Sequence, residues 1–350
     1  MLESMQLTPV RTLPSRLVLR GRDVLPGALI CAAIAVVATV IGSFVPVLGS
    51  ALPAIIIGVI VSAVRRPGAR LAPGIGYSGK FLLQCAVVLL GAQLSIGAVL
   101  RVGAESFPVM ISSLVVCLLA AWLIGRAMGI ERRIRTLIGV GTGICGASAI
   151  AAVSPVIKAR SAEISYAIST VFLFNIVAVA VFPMIGHLLD LDPHTFGLLA
   201  GTAVNDTSSV VAAASVFSAE ALGFAVVVKL VRTLMIIPIS VGLAGMEARR
   251  SGDGERLGLR RIVGLVPWFL VGFLIVTLAV SVGLIPPAAT QALTSTSVFL
   301  VATALAGIGL STDLGAIRRA GLKPLGLGAI LSLLVTATTL TTMALTGAMG

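Results

Sequence analysis

The chain is a succession of long apolar runs parted by short polar gaps. The runs fall at about 25–48, 51–64, 81–100, 107–129, 136–157, 163–186, 195–216, 221–246, 262–285, 291–310 and 324–347. Since about 20 apolar residues carry a helix across a bilayer core, the pattern predicts an all-α, polytopic membrane protein with about 9–11 transmembrane helices. The run at 51–64 is short for a crossing and reads as tilted, broken or packed inside. The longest polar gap, about 247–261, is too short to fold alone. Residues 25–350 therefore read as a single integral membrane transporter domain. Residues 1–24 read as a cytoplasmic N-terminal tail, because they carry Arg11, Arg16, Arg20 and Arg22 and lack the apolar core of a cleaved signal.

Two runs are interrupted by small, polar, glycine-bearing sequence. These are Gly141-Thr142-Gly143-Ile144-Cys145-Gly146-Ala147-Ser148 and Gly201-Thr202-Ala203-Val204-Asn205-Asp206-Thr207-Ser208-Ser209. At a shift of 60 residues Gly141 meets Gly201, Thr142 meets Thr202, Ser148 meets Ser208 and Ala152 meets Ala212, so one pattern is written twice. Glycine weakens a helix, and hydroxyls compete for its backbone groups. Irregular backbone at membrane depth persists only where it is buried in protein or lines a cavity. Paired interruptions of this kind point to a transporter's binding site. Two broken or re-entrant segments in an inverted-repeat arrangement are therefore expected. A second echo sets Leu89-Leu90-Gly91-Ala92-Gln93-Leu94-Ser95 against Leu305-Ala306-Gly307-Ile308-Gly309-Leu310-Ser311, at a shift of 216 that also brings Pro108 onto Pro324. Shifts of 60 and 216 do not describe one tandem duplication. If there is one repeat, its parts come in a different order in the two halves.

Composition agrees with a membrane location: 58% of residues are hydrophobic and 11% charged, against about 25% charged in soluble domains. The net charge of +12 does not signal nucleic-acid binding, because the basic residues sit in the gaps between apolar runs rather than on one face. Arg65, Arg66, Arg70, Lys80, Arg126, Arg132, Arg133, Arg135, Arg249, Arg250, Arg256, Arg260, Arg261, Arg318, Arg319 and Lys323 mark one side as cytoplasmic. The segment around Asp190, Asp192 and His194 has no Lys or Arg and reads as external. Lys158 and Arg160 leave two schemes open. Either the fifth run crosses fully and they lie outside, or it is a re-entrant hairpin and they lie inside. Only the second scheme makes the two glycine-bearing segments antiparallel.

Away from the ends of the spans, where Arg126 and Glu163 stand, the charged residues are Asp206, Lys229 and Arg232. A charge at membrane depth usually faces a cavity or a partner. Lys229 and Arg232 are three apart and share a helix face. They read either as a cationic face near the site, with Asp206 as an ion or proton partner, or as a buried salt bridge between helices. Backbone N–H groups at broken helices form a ready anion site. Gly141, Thr142, Cys145, Gly146, Ser148, Gly201, Thr202, Asn205, Thr207, Ser208 and Ser209 are the substrate-binding candidates, with Asp206, Lys229 and Arg232 for coupling and electrostatics. The hydroxyls could equally bond between packed helices. Cys31, Cys85, Cys117 and Cys145 lie in apolar runs and suggest neither a metal site nor a disulfide frame. His187 and His194 read as solvated loop histidines. Neither a phosphate-binding GxxxxGK[ST] loop nor a GxSxG hydrolase elbow is present, so no enzyme activity and no cofactor are expected.

Several stretches together resemble a known family. They are Phe81-Leu82-Leu83 through Leu94-Ser95, Gly141 to Ala152 with Pro155-Val156-Ile157-Lys158-Ala159, Thr195-Phe196-Gly197 through Ala213, Lys229-Leu230-Val231-Arg232, Val266-Pro267-Trp268-Phe269, and Ala304 to Ser311 with Lys323-Pro324. From about residue 25 to its end the chain resembles the YeiH-type family of bacterial inner-membrane proteins, which are named as sulfate exporters. The resemblance implies a secondary transporter of a small inorganic or sulfur-containing anion, working by alternating access in the inner membrane. A proton or sodium gradient, or the substrate's own, would drive it. The family's wider clan, with cation–proton antiporters and bile-acid-type transporters, implies broken, crossing helices and a core that moves against a panel. A homodimer is compatible with such a bundle, though no interface is legible. The family pattern often has a histidine before its acidic residue, where this chain has Asn205. It also has basic residues near positions held here by Gln84 and Gln93. With Asn205, proton coupling would be absent or fall to Asp206, and with Gln84 and Gln93 less positive charge would stand near the site for a divalent anion. A cation or proton antiporter using Asp206 is the alternative.

Overall fold

The computed structural model describes residues 21–44, 50–251, 266–311 and 322–348. These form α1 (Gly21–Phe44), α2 (Ala51–Val64), α3 (Ala72–Tyr77), α4 (Leu83–Leu90), α5 (Ile96–Ala127), α6 (Arg132–Val140), α7 (Ala147–Val153), α8 (Ser161–Leu188), α9 (Pro193–Ala203), α10 (Thr207–Phe217), α11 (Ala219–Leu234), α12 (Ile236–Ser251), α13 (Trp268–Ser281), α14 (Pro287–Ser311) and α15 (Leu322–Thr346). A π-turn at Ser78–Leu82 joins α3 to α4, and the pair forms one rod, Ala72–Gln93. Seven of the described helices are long and apolar enough to cross a membrane, and α2 and α13 are shorter apolar helices. The protein is an all-helical, multi-pass membrane protein.

Three boundaries differ from the sequence expectation. The runs expected at 81–100 and 107–129 are in fact divided at Leu94–Ser95. There the turn Gly91–Gln93 ends and the Ser95 hydroxyl accepts from the Ala98 N–H at 3.2 Å, capping α5. Arg101 and Glu105, which seemed to interrupt an apolar run, are exposed residues in the first turns of α5. Helix α1 starts at Gly21, inside the segment assigned to the tail, whose residues 1–20 lie outside the described residues. The polar gap at 247–261 is helical as far as Ser251, and the rest of it also lies outside them, as do Arg318 and Arg319.

The fifth run turns back on itself. Glu131, just before α6, accepts two hydrogen bonds from Arg160, beyond α7, at 2.9 and 3.0 Å. Arg133 and Glu163 stand 4.0 Å apart at the same end. Both ends of α6–α7 therefore open on one face, and Lys158 and Arg160 lie on the side where the hairpin enters. The seventh run does the same from the opposite face. Phe196, near the start of α9, stacks on Phe217 at the end of α10 with ring centroids 3.9 Å apart, and His187 at the end of α8 stacks on the same ring. Helix α8 spans between the two hairpin mouths. Helices α11 and α12 return to the first face, where Glu247 accepts from Arg132 at 2.9 Å. Two re-entrant hairpins thus replace the crossing helices that the family resemblance implied.

The second echo is also antiparallel. The rod Ala72–Gln93 packs on α14, and α5 packs on α15. Ser112 on α5 meets Thr342 on α15 at 3.0 Å, while Gly125 approaches Leu327. Likewise α2 packs on α14 as α13 packs on α4. The first half runs α2, α3–α4, α5, hairpin, α8. In the second half the hairpin and α11 come before α13, α14 and α15. This permuted order accounts for the two shifts of 60 and 216 residues.

Candidate functional site

The tips of the two hairpins meet in the middle of the bundle. At a shift of 60 residues Gly146 corresponds to Asp206, and these two residues touch. A Cβ on Gly146 would lie 3.0 Å from Asp206 Cβ and 3.1 Å from its Oδ1. A near-twofold axis passing between equivalent positions leaves room for one side chain only, so one partner is glycine. Gly146 also has φ 65° and ψ −132°, a conformation that glycine adopts without a steric penalty. Gly141 and Gly201 allow equivalent close approaches. A Cβ at Gly141 would meet Ile150 at 2.9 Å and Val171 of α8 at 3.0 Å, and one at Gly201 would meet Ala225 and Val228 of α11 at 2.7 Å.

Lys229 and Arg232 lie along the same axis, both with no exposed surface. Lys229 Nζ donates to the carbonyl oxygens of Ile144 at 2.9 Å and Val204 at 2.8 Å, which are equivalent positions in the two hairpins. Arg232 donates to the equivalent carbonyls of Thr142, at 3.2 Å, and Thr202, and its Nε reaches Gly143 at 2.7 Å. These oxygens end the entering half of each hairpin, where helix carbonyls lack internal partners and the helix dipole is negative. The two cations therefore face backbone carbonyls, neither lining open space nor pairing with Asp206. Among the described residues the ion pairs lie near the membrane faces.

The returning halves begin at the same point with their N–H groups forward. Asp206 is the N-cap of α10, its Oδ2 accepting from the Ser208 N–H at 3.0 Å and from the Ser208 hydroxyl. Helix α7 has Gly146 at that position and no side-chain cap. Ala147 and Ser148 are exposed, and Asp206, Thr207 and Ser208 are half-buried, while Gly141 to Gly146, Gly201 to Asn205 and Ser209 are buried. Thr202 Oγ1 and Asn205 Oδ1 are buried without a hydrogen-bond partner. The sequence candidates thus lie along the two hairpins and α11, with Ser148 exposed, Thr207 and Ser208 half-buried, and Cys145, Lys229 and Arg232 buried.

Asn175 was missed. It is a buried amide on α8, and its Oδ1 accepts from the Asp206 N–H at 3.3 Å, fixing the backbone of the tip. A lone amide inside the apolar run at 163–186 was the available signal. The surroundings of the tips are not symmetric. Helices α1, α2, α3–α4, α13 and α14 form a panel that packs on α10 through α2 and α14, whereas α7 packs mainly on α6, α8 and α12. Ala151 and Pro155 continue the exposed stripe below Ser148 towards the face of Arg160. On the other face a cavity of about 390 Å³ remains between panel and core, lined by Ser50, His187, Ser215, Phe217 and Val298 among others.

The sequence model of the family described as "Conserved hypothetical protein 698" matches residues 26–328, and the chain belongs to that family. It is 37% identical over 331 residues to a UPF0324 membrane protein of Streptococcus agalactiae serotype V, covering 93% of this chain and 98% of the relative. It is 40% identical over 333 residues to one of Streptococcus pneumoniae, covering 92% and 97%. Among solved structures, the sodium proton antiporter MjNhaP1 from Methanocaldococcus jannaschii aligns over 90% of this chain and 99% of its own, at 11% identity and a TM-score of 0.28, a likeness too slight to bear on activity.

Proposed function

We propose that the protein is a secondary transporter that moves a small anion, such as sulfate or a related sulfur oxyanion, by alternating access. One observation supports this most. The carbonyl ends of both entering half-helices are taken by Lys229 and Arg232, while at the N–H ends α7 has no side-chain cap, with Ala147 and Ser148 exposed, and α10 is capped by Asp206, with Thr207 and Ser208 half-buried. Carbonyl ends favour cations and N–H ends favour anions. With the first sealed, the accessible part of the site favours an anion. The panel's preference for α10 over α7 fits a carrier caught open towards the face of Arg132, Arg133, Arg135, Lys158 and Arg160. By the excess of basic residues that face is cytoplasmic, as is the N-terminus, in a bacterial inner membrane. A cation or proton antiporter is the second reading, favoured by the buried, unpartnered oxygens of Thr202 and Asn205 in the segment that carries Asp206.

Flux in proteoliposomes separates the two. Asp206→Asn keeps a capping side chain and removes one negative charge next to the tips. Anion binding should be kept or tightened by up to about tenfold, with the pH dependence of flux altered. Complete loss of coupled transport with anion binding unchanged would instead support the antiporter.

A further inference from the structure

We infer that the Lys229 ammonium occupies the seat of a coupling cation, so that this carrier works without sodium. The inference rests on the transporter reading for its consequence, but the seat itself is defined by geometry alone. In transporters built from discontinuous helices, unwound carbonyls and half-helix C-termini coordinate the coupling ion. Here two such carbonyls, Ile144 and Val204, converge from opposite hairpins at equivalent positions of the repeat. Lys229 Nζ lies between them at 2.9 and 2.8 Å, in a place with no exposed surface. Arg232, one turn along α11, holds the next equivalent pair, Thr142 and Thr202, together with Gly143. Five carbonyl oxygens are thus committed to two tethered cations.

A mobile cation at this point would have to displace Lys229 Nζ from the two carbonyls it already holds, next to the Arg232 guanidinium. The charge that other carriers bind and release is here attached to α11. It moves only with that helix, and it carries nothing across the membrane. The site then has one variable occupant, on the N–H side of the tips.

Removing the tether should uncover the seat. Lys229→Ala leaves a space lined by the Ile144 and Val204 carbonyls that suits a small monovalent cation, whereas Lys229→Met fills it with an apolar chain of similar length. The purified full-length proteins are compared by thermal unfolding in chloride salts of choline, sodium, ammonium and methylammonium at matched ionic strength. The unaltered protein should unfold at the same temperature in all four. Lys229→Ala should unfold lower in choline and recover by roughly 3–8 °C in ammonium or methylammonium, and Lys229→Met should not respond. If the alanine protein folds only when prepared in ammonium, that is the same rescue. A sodium-specific rise in the unaltered protein overturns the inference, as does an alanine variant with no rescue by any cation, or equal responses in the alanine and methionine variants. An anion-dependent shift in the unaltered protein is a separate readout, so the anion reading and the tethered-cation inference can fail independently.

Discussion

Replacing Arg232 with alanine is expected to leave little folded protein in the membrane. The guanidinium has no exposed surface and donates to carbonyls of both hairpins, at Thr142, Gly143 and Thr202. Without it, three buried oxygens lose their donor, and water is scarce at that depth to replace it. Breaking one side of a buried charged network costs about 3–5 kcal/mol, a large part of a typical total stability of about 5–15 kcal/mol. Arg232→Lys should recover only part of the loss, because an ammonium is a point donor and cannot fork across carbonyls from two chains of backbone. Fluorescence-detected gel filtration of detergent extracts, followed by thermal unfolding, measures both effects. An Arg232→Ala protein that elutes as a single peak and unfolds within about 1 °C of the parent, a shift of under about 1 kcal/mol for a chain of this length, would contradict the account of the axis.

The second large effect is expected at Gly146. Its backbone, at φ 65° and ψ −132°, lies where other residues are strained, and a Cβ would lie 3.0–3.3 Å from three atoms of Asp206. Such strain costs of order 1–3 kcal/mol before any clash is counted. Gly146→Ala should therefore lower the unfolding temperature clearly and part the two tips, abolishing flux even where folded protein is recovered. Gly242→Ala on α12 is the control, since a Cβ there meets nothing within 4 Å. It should leave stability unchanged or slightly raised, because alanine is the better helix former by about 1 kcal/mol. Equal behaviour of the two variants would mean that the contact between Gly146 and Asp206 does not matter.

Much of this architecture can be read in the sequence, for identifiable reasons. Length and hydropathy locate the apolar runs because bilayer thickness dictates both. The boundary at Leu94–Ser95 was misplaced because charged Arg101 and Glu105 look like a gap, whereas a helix end near a membrane face tolerates them. The pattern of Gly141, Thr142 and Ser148 repeated at Gly201, Thr202 and Ser208 located the site segments, and the same shift pairs Gly146 with Asp206. Whether those segments cross or turn back was not legible. The deciding contacts, Glu131 with Arg160 and Phe196 with Phe217, join residues 29 and 21 positions apart that hydropathy treats alike. Lys229 and Arg232 stood out as charges in an apolar run, but their partners are main-chain carbonyls. Backbone acceptors leave no mark in a sequence, so a cationic binding face and a cation-sealed helix junction look the same there.

The central claim is that the hairpin tips, where α7 has no side-chain cap and Ser148 is exposed, bind a small anion. The most direct test is thermal unfolding of the purified, unaltered protein in sodium salts of sulfate, sulfite, thiosulfate and simple sulfonates, at matched sodium and ionic strength. A ligand that binds the native state alone stabilises it by about 2.7 kcal/mol at a hundred times its Kd, which corresponds to a rise of roughly 4 °C for a chain of this length. The account predicts such a rise for at least one of these anions, saturating at concentrations too low for sulfate to act by general exclusion from the protein surface. A response that follows sodium or pH alone, with no difference among the anions, would contradict it and make Asp206 the carboxylate of a cation carrier.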